Sequence, residues 1–126
     1  MQDLIILGLG AHGPEMAEIV DRVNAVRETW NLLGFISPDG RKAGETVNGY
    51  PVLGTVEALG HYPDACVAPH GEVPERLTVP RQRLVSLIDP SAFVSRTAKI
   101  GAGCVLFPHC YVGLNARLHD FVFCLS

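Results

Sequence analysis

A glycine-rich loop follows the first apolar run of the sequence and could bring backbone N–H groups close to an anion. The run is LIIL, residues 4–7, and the loop is GLGAHG, residues 8–13, which fits the dinucleotide-binding pattern G-x-G-x-x-G. A helical pattern starts at Pro14, so the loop would stand at a helix N-terminus, where the helix dipole favours negative charge. The spacing therefore predicts a site for a phosphate-bearing ligand. The alternative is a tight strand-to-helix turn that binds nothing.

A nicotinamide dinucleotide is one candidate ligand for this loop, but the sequence is a poor match to such a site. The pattern expects an acidic residue about 20 positions after the glycines to hold the ribose. Residue 33 is a leucine, and the nearest acids are Glu28 and Asp39. The α/β stretch is also too short for the two mononucleotide-binding halves of a full dinucleotide fold. NAD binding therefore stays as a less favoured alternative.

His119 and Asp120 are adjacent and imitate the pair in which a carboxylate raises the basicity of a histidine that acts as general base. The competing interpretation is a solvent-facing corner of the chain. A zinc site would need three converging ligands, and the four cysteines form no C-x-x-C pair. We therefore predict no metal, and we retain His119 and Asp120 as candidate catalytic residues.

Strand and helix patterns alternate over the first two-thirds of the chain, and these elements must position the loop. Apolar residues at helical spacing follow Pro14, and strands are predicted at residues 4–7, 32–36 and 65–68. Turn signals lie at Ser37–Gly40 and at Asn48–Gly49. Such alternation is typical of a parallel sheet. We predict a small Rossmann-like α/β subdomain over residues 1–83 that binds a nucleotide-linked ligand.

The last third of the sequence repeats every six residues, a period that fits neither a helix nor an alternating strand. Each repeat has an apolar residue and, four positions later, a small or modest-sized one. The hexapeptide repeat of β-helices has this pattern. The apolar positions are Ile88, Val94, Ile100, Leu106, Val112, Leu118 and Cys124. We predict about two coils of a β-helix over residues 84–126, with Ile88, Leu106 and Cys124 stacked in one column.

Composition and charge narrow the classes of partner. The 126 residues carry a net charge of −3 at pH 7 and no basic block, which argues against nucleic acid as a partner. No apolar run approaches the roughly 20 residues that a membrane span needs. The N-terminus shows no signal-peptide pattern. We therefore expect a cytoplasmic protein without a membrane span.

Four motifs in order make the chain resemble a known family. They are LIILGLGAHGPEMAEIV, GFISPDG followed by NGYPVLG, ACVAPHGEVPERL, and LIDPSAFVSRTAKIGAGCVLFPHCYVGLNARLHD. Together they resemble the sugar O- and N-acyltransferases of the sialic-acid O-acetyltransferase and bacillosamine-type UDP-amino-sugar N-acetyltransferase group. The resemblance implies left-handed coiling of the β-helix, and a loop that binds a nucleotide-linked amino sugar as acetyl acceptor. The matching positions are Gly10, Ala11, His12, Ser37, Pro38 and Gly71.

The resemblance also implies an activity, a co-substrate and an assembly. Similar proteins transfer acetyl from acetyl-CoA to a sugar nitrogen or oxygen for surface-glycan biosynthesis, and they form trimers along the β-helix. Their catalytic histidine would fall roughly six residues past Ser126, with the acetyl-CoA site further on. We therefore expect an N-terminal portion with little or no activity alone. A non-catalytic nucleotide-sugar-binding module is the alternative.

Two departures from the family pattern leave the sugar and the nucleotide open. Acidic residues often stand at the positions of Ser37 and Pro38, and the pair Gly71–Glu72 is often Gly-Asp or Gly-Asn. The last coil would also expose Leu118, Val122 and Cys124 with unpaired backbone at its rim. This predicts self-association, as a trimer by resemblance.

Overall fold

A five-stranded sheet forms the first part of the molecule in the computed structural model, which describes residues 1–70 and 73–125. The strand order is β3-β4-β2-β1-β5, in which β1, β2, β4 and β5 are parallel and β3 pairs antiparallel with β4. The strands are β1 (Gln2–Leu7), β2 (Trp30–Ile36), β3 (Thr46–Val47), β4 (Tyr50–Gly54) and β5 (Cys66–Pro69). The sequence predicted β1, β2 and β5 within two residues of these bounds, but it missed β3 and β4.

The helix α1 (Gly13–Val26) covers one face of the sheet. Its first turn contains Pro14, and it buries Met16, Ala17, Ile19 and Val20 against the side chains on the Leu4 and Ile6 face of β1. The opposite face of β1 belongs to a second cluster with Leu59 of the first of three short 3₁₀ helices, and with Val79 and Leu84, which flank the other two. The three helices span Val56–His61, Pro74–Thr78 and Arg81–Arg83.

The last third of the chain consists of two-residue strands that recur every six residues. They are β6 (Leu87–Ile88), β7 (Phe93–Val94), β8 (Lys99–Ile100), β9 (Val105–Leu106), β10 (Tyr111–Val112), β11 (Arg117–Leu118) and β12 (Phe123–Cys124). Each pairs in parallel with the strand three repeats away. Leu106 therefore lies in register with both Ile88 and Cys124, which confirms the predicted column. We call this segment the coils.

The corners of the coils have left-handed backbone at the same six-residue interval. Gly103, His109, Asn115 and Phe121 all have φ between 60° and 71°. Hydroxyl groups on the preceding coil accept hydrogen bonds from the next corner. Ser91 Oγ accepts from the His109 N–H at 3.0 Å, and Thr97 Oγ1 accepts from the Asn115 N–H at 2.8 Å. These side chains stabilise the corners, whose left-handed backbone conformation non-glycine residues rarely adopt.

The sheet, α1 and the coils share one apolar core. Leu87, Leu106 and Phe107 belong to the same buried cluster as Leu4 and Met16. The coils thus lie on the side of the sheet that α1 covers. No helix in the described ranges is long and apolar enough to cross a membrane.

Candidate functional site

The glycine-rich loop connects β1 to α1 at the carboxyl edge of the parallel sheet. The N–H of Gly8 donates to the carbonyl of Ile36 at 2.8 Å, which fixes the loop to the end of β2. Gly8 has φ of 120°, and a Cβ there would lie 2.8 Å from His70 Cβ. A Cβ at Gly10 would lie 3.0 Å from His70 Nε2. The glycines therefore let the loop pack directly against the imidazole that follows β5.

Two adjoining cavities open beside this loop, and we call them together the loop groove. The first has a volume of about 240 Å³ and the second about 330 Å³, and both are lined by Leu9, Gly10 and Arg41. Crevices at the carboxyl ends of parallel strands are the usual ligand sites of open α/β sheets. Other residues on the first cavity are Ser37, Pro38, Asp39, His70, Val73, Pro74 and Glu75, and on the second Ala11, Pro14, Lys42 and Val47.

Four of the six residues assigned to the acceptor site from the sequence therefore line the groove. Gly10, Ser37 and Pro38 line the first cavity, and Gly10 and Ala11 line the second. Gly71 lies outside the described residues. His12 is on neither cavity. Its ring turns toward the coils instead.

His12 belongs to a cluster of four rings between the loop and the coils. Its ring centroid lies 6.0 Å from that of His70, 5.5 Å from that of Phe107 and 6.2 Å from that of Phe123. The Nδ1 atom of His12 is 3.1 Å from a carboxylate oxygen of Glu15 in the first turn of α1. His70 is 5% exposed and packs 5.0 Å from Phe123. Phe107 and Phe123 of the coils thus pack against the imidazole rings beside the loop.

The turn after β2 carries charged residues that the sequence interpretation did not assign to the site. Ser37 is buried, and its hydroxyl donates to Asp39 at 2.9 Å. Asp39 also accepts from the backbone N–H of Arg41 at 3.0 Å and from its Nε at 2.9 Å. The hydrogen bond from the Arg41 backbone, followed by that from Ser37, lowers the pKa of Asp39 below its usual value. The run DGRK after a buried strand was the available signal.

His119 and Asp120 lie elsewhere, on an open face that is also lined by Lys99 and Arg117 of the coils and by Arg81. Asp120 accepts from Arg81 at 3.0 and 3.1 Å, and from the Ala102 N–H at 2.9 Å. The hydrogen bond from Arg81 is the largest of the effects that lower the pKa of Asp120. These bonds fix a corner of the coils, which favours the structural interpretation of this acid.

No set of three or more His, Cys, Asp or Glu side chains within residues 1–70 and 73–125 is placed to hold a metal ion.

Comparison with known proteins identifies relatives by structure. No protein-family model and no curated protein sequence matches the chain. A mutant of perosamine N-acetyltransferase from Caulobacter crescentus, in complex with CoA and GDP-perosamine, matches with a TM-score of 0.78 and 19% identity over 100% of this chain and 61% of that one. The acetyltransferase domain of PglB from Neisseria gonorrhoeae, in complex with acetyl coenzyme A, matches with a TM-score of 0.74 and 26% identity over 97% and 60%.

These matches confirm the resemblance to sugar acyltransferases that the four motifs indicated. The chain spans about three fifths of the length of the solved chains that it matches. At 19% identity, the perosamine enzyme shows a shared fold. These two structures contain CoA or acetyl-CoA, and that of the perosamine enzyme also contains a nucleotide-linked sugar.

Proposed function

We propose that the loop groove binds a nucleotide-linked sugar that receives an acetyl group from acetyl-CoA. The observation that carries this proposal is the placement of Gly10 and Ala11, at the N-terminus of α1, on a groove that also contains Arg41 and Lys42. Backbone N–H groups at a helix N-terminus and guanidinium groups both favour phosphate oxygens. The resemblance to enzymes solved with GDP-perosamine and acetyl-CoA supports the same chemistry.

The coils supply the second part of this proposal. We infer that they form the start of a left-handed β-helix, as the resemblance implies, and that residues 1–83 act as the acceptor-binding part. The four-ring cluster supports a close link between the two parts, because Phe107 and Phe123 come from the coils and contact His12 and His70 beside the loop. An acceptor in the groove would therefore lie near the coils.

Acetyl transfer requires that an amine or hydroxyl of the sugar attacks the thioester carbon, that the C–S bond breaks, and that a base takes the proton. The resemblance implies a base and a CoA site on a further coil, and His119 and Asp120 are the less favoured candidates for the base. Loss of a general base costs about 10²–10⁴ in rate. We therefore propose that residues 1–126 bind the acceptor but give little turnover without those further groups.

Substitution of Gly10 by valine tests the acceptor site. A Cβ at Gly10 already approaches His70 Nε2 to 3.0 Å, so the larger side chain will displace the loop or fill the groove. We expect affinity for UDP-, GDP- or dTDP-linked amino sugars, measured by calorimetry, to fall about tenfold or more. Gly60→Val is the matched control, because a Cβ at Gly60 meets nothing within 4 Å.

Unchanged affinity in Gly10→Val would place the site elsewhere, and preferential binding of NAD would favour the dinucleotide alternative. Circular dichroism shows whether each variant keeps the fold. Thiol release from acetyl-CoA tests the transfer step, by comparing this chain with one extended through further coils. Equal turnover in both would indicate that the base lies within residues 1–126. His119, Asp120 and His70 would then be the candidates, and each can be tested as an alanine variant.

A further inference from the structure

We propose that Arg41 binds the diphosphate of the nucleotide in the second cavity of the loop groove, and that Asp39 positions it. This inference rests on the proposed function and assigns a part of the ligand to a part of the groove. Arg41 lines both cavities, so it lies where they adjoin. Its side chain is 75% exposed and lies within reach of a ligand that enters from solvent.

The charges on the two cavities differ, and this difference orients the ligand. The described residues that line the second cavity include two cations, Arg41 and Lys42, and no carboxylate. The first cavity adds the carboxylates of Asp39 and Glu75. Phosphate oxygens are attracted to the second cavity and repelled from the first. Carboxylates accept hydrogen bonds from hydroxyl groups, so the first cavity suits a ribose or the sugar.

A chain of hydrogen bonds fixes Arg41 to the end of β2. The N–H of Ser37 donates to the carbonyl of Gly54 at 2.8 Å, which ties Ser37 to β4. The Ser37 hydroxyl donates to Asp39, and Asp39 accepts from both the backbone N–H and the Nε of Arg41. Guanidinium carries five N–H donors. Because Nε is held by Asp39, the two terminal nitrogens are left to form the paired contacts that phosphate groups favour.

The competing interpretation is an ordinary surface ion pair, which contributes little to stability. That interpretation gives Asp39 only one effect on an anion, which is to repel it. Removal of Asp39 would then strengthen the binding of phosphates. Positioning predicts the opposite sign, because a free arginine side chain must lose its rotamer freedom when it binds the ligand. The sign of the effect separates the two interpretations.

Calorimetric titration of the whole chain with uridine and guanosine, and with their 5′-mono- and 5′-diphosphates, tests the inference. For the wild type we expect the diphosphate to bind more tightly than the nucleoside. Arg41→Ala should weaken diphosphate binding about tenfold or more and weaken nucleoside binding much less, so that the preference for the diphosphate is lost. Arg41→Lys should retain part of the preference. Arg27→Ala is the control, since Arg27 is an exposed arginine at the C-terminal end of α1.

Asp39→Ala tests positioning, and we expect it to weaken diphosphate binding several-fold despite the added net positive charge. Tighter binding in Asp39→Ala would overturn the positioning role. Unchanged diphosphate affinity in Arg41→Ala would overturn the inference while leaving the proposed function intact. A wild type that binds nucleosides without any phosphate preference would overturn the inference and would also contradict the phosphate contacts on which the proposed function rests. A wild type that binds none of these probes, nor a nucleotide-linked sugar, would overturn both proposals.

Discussion

Among single residues, Asp89 is the buried acid that ties the coils to α1. It is 2% exposed, and its carboxylate accepts from Arg22 Nε at 2.5 Å and from the hydroxyl and N–H of Ser91 at 2.6 and 3.0 Å. Burial alone would raise the pKa of Asp89, but the hydrogen bonds from Ser91 and then Arg22 outweigh it, and the pKa is lowered. The ionised form is therefore the one that stabilises the folded chain.

We expect Asp89→Asn to lower the free energy of unfolding by about 1–3 kcal/mol at pH 7, because Arg22 and Ser91 lose a charged acceptor that is itself buried. A group whose pKa is depressed by folding stabilises above its unfolded pKa and loses that contribution as pH falls. The difference between wild type and variant should thus shrink below the ordinary aspartate pKa of 3.8. Urea unfolding of both proteins between pH 3 and 7 measures this difference in the free energy of unfolding.

Asp64→Asn is the control for this series, because Asp64 is an exposed acid. A pH-independent difference between the wild type and Asp89→Asn would show that Asp89 acts through its shape and not through its charge.

The sequence located several groove residues individually but not their orientation. Gly10 and Ala11 follow from the loop pattern, since a strand-to-helix turn fixes backbone position. The ring of His12 could not be placed in advance, because its direction depends on Phe107 and Phe123 from distant repeats. Arg41 was missed because a basic residue in a turn ordinarily indicates only a solvated surface.

At the scale of elements, the hexapeptide period predicted the coils, but the sequence pattern did not predict β4. Seven apolar positions recur at one interval, so the period can be recognised even where one residue departs from the pattern. In contrast, β4 contains Pro51 and buries only Val52 fully, so it lacks an apolar run. Its place in the sheet depends on a long-range fit with β2. At Gly34, a Cβ would lie 2.2 Å from the Pro51 carbonyl oxygen.

Gly34→Ala should therefore separate β4 from β2 and destabilise the fold. Gly34 has φ of 149°, so the variant combines an unfavourable backbone conformation with a collision against backbone. We expect a loss of more than about 2 kcal/mol in the free energy of unfolding. Thermal and urea unfolding provide the measurement.

Gly44→Ala separates the two contributions. Gly44 has φ of 84°, and a Cβ there meets nothing within 4 Å. Gly44→Ala should therefore lower the free energy of unfolding by only about 1–2 kcal/mol, the cost of the unfavourable backbone conformation alone. Equal losses in both variants would show that contact with Pro51 does not matter.

At the scale of the whole molecule, one face of the coils is apolar and open. Phe93 and Tyr111 lie in register on β7 and β10, and their rings stack with centroids 5.3 Å apart and planes 8° apart. They are 58% and 71% exposed, and Leu114 nearby in sequence is 73% exposed. Exposed aromatic side chains are enriched at protein interfaces.

Self-association through this face is the expected behaviour of the chain, in keeping with the trimers that the family resemblance implies. Aromatic residues dominate the energetics of such interfaces, so Phe93→Ser combined with Tyr111→Ser should weaken association about tenfold or more. Leu77→Ser is the matched control, because Leu77 is 70% exposed and belongs to a 3₁₀ helix that precedes the coils in the sequence. Light scattering and sedimentation at micromolar concentration measure the mass. A wild type that remains monomeric, or a double variant that associates as strongly as Leu77→Ser, would contradict this prediction, because exposed rings that bury no surface between copies cannot stabilise an assembly.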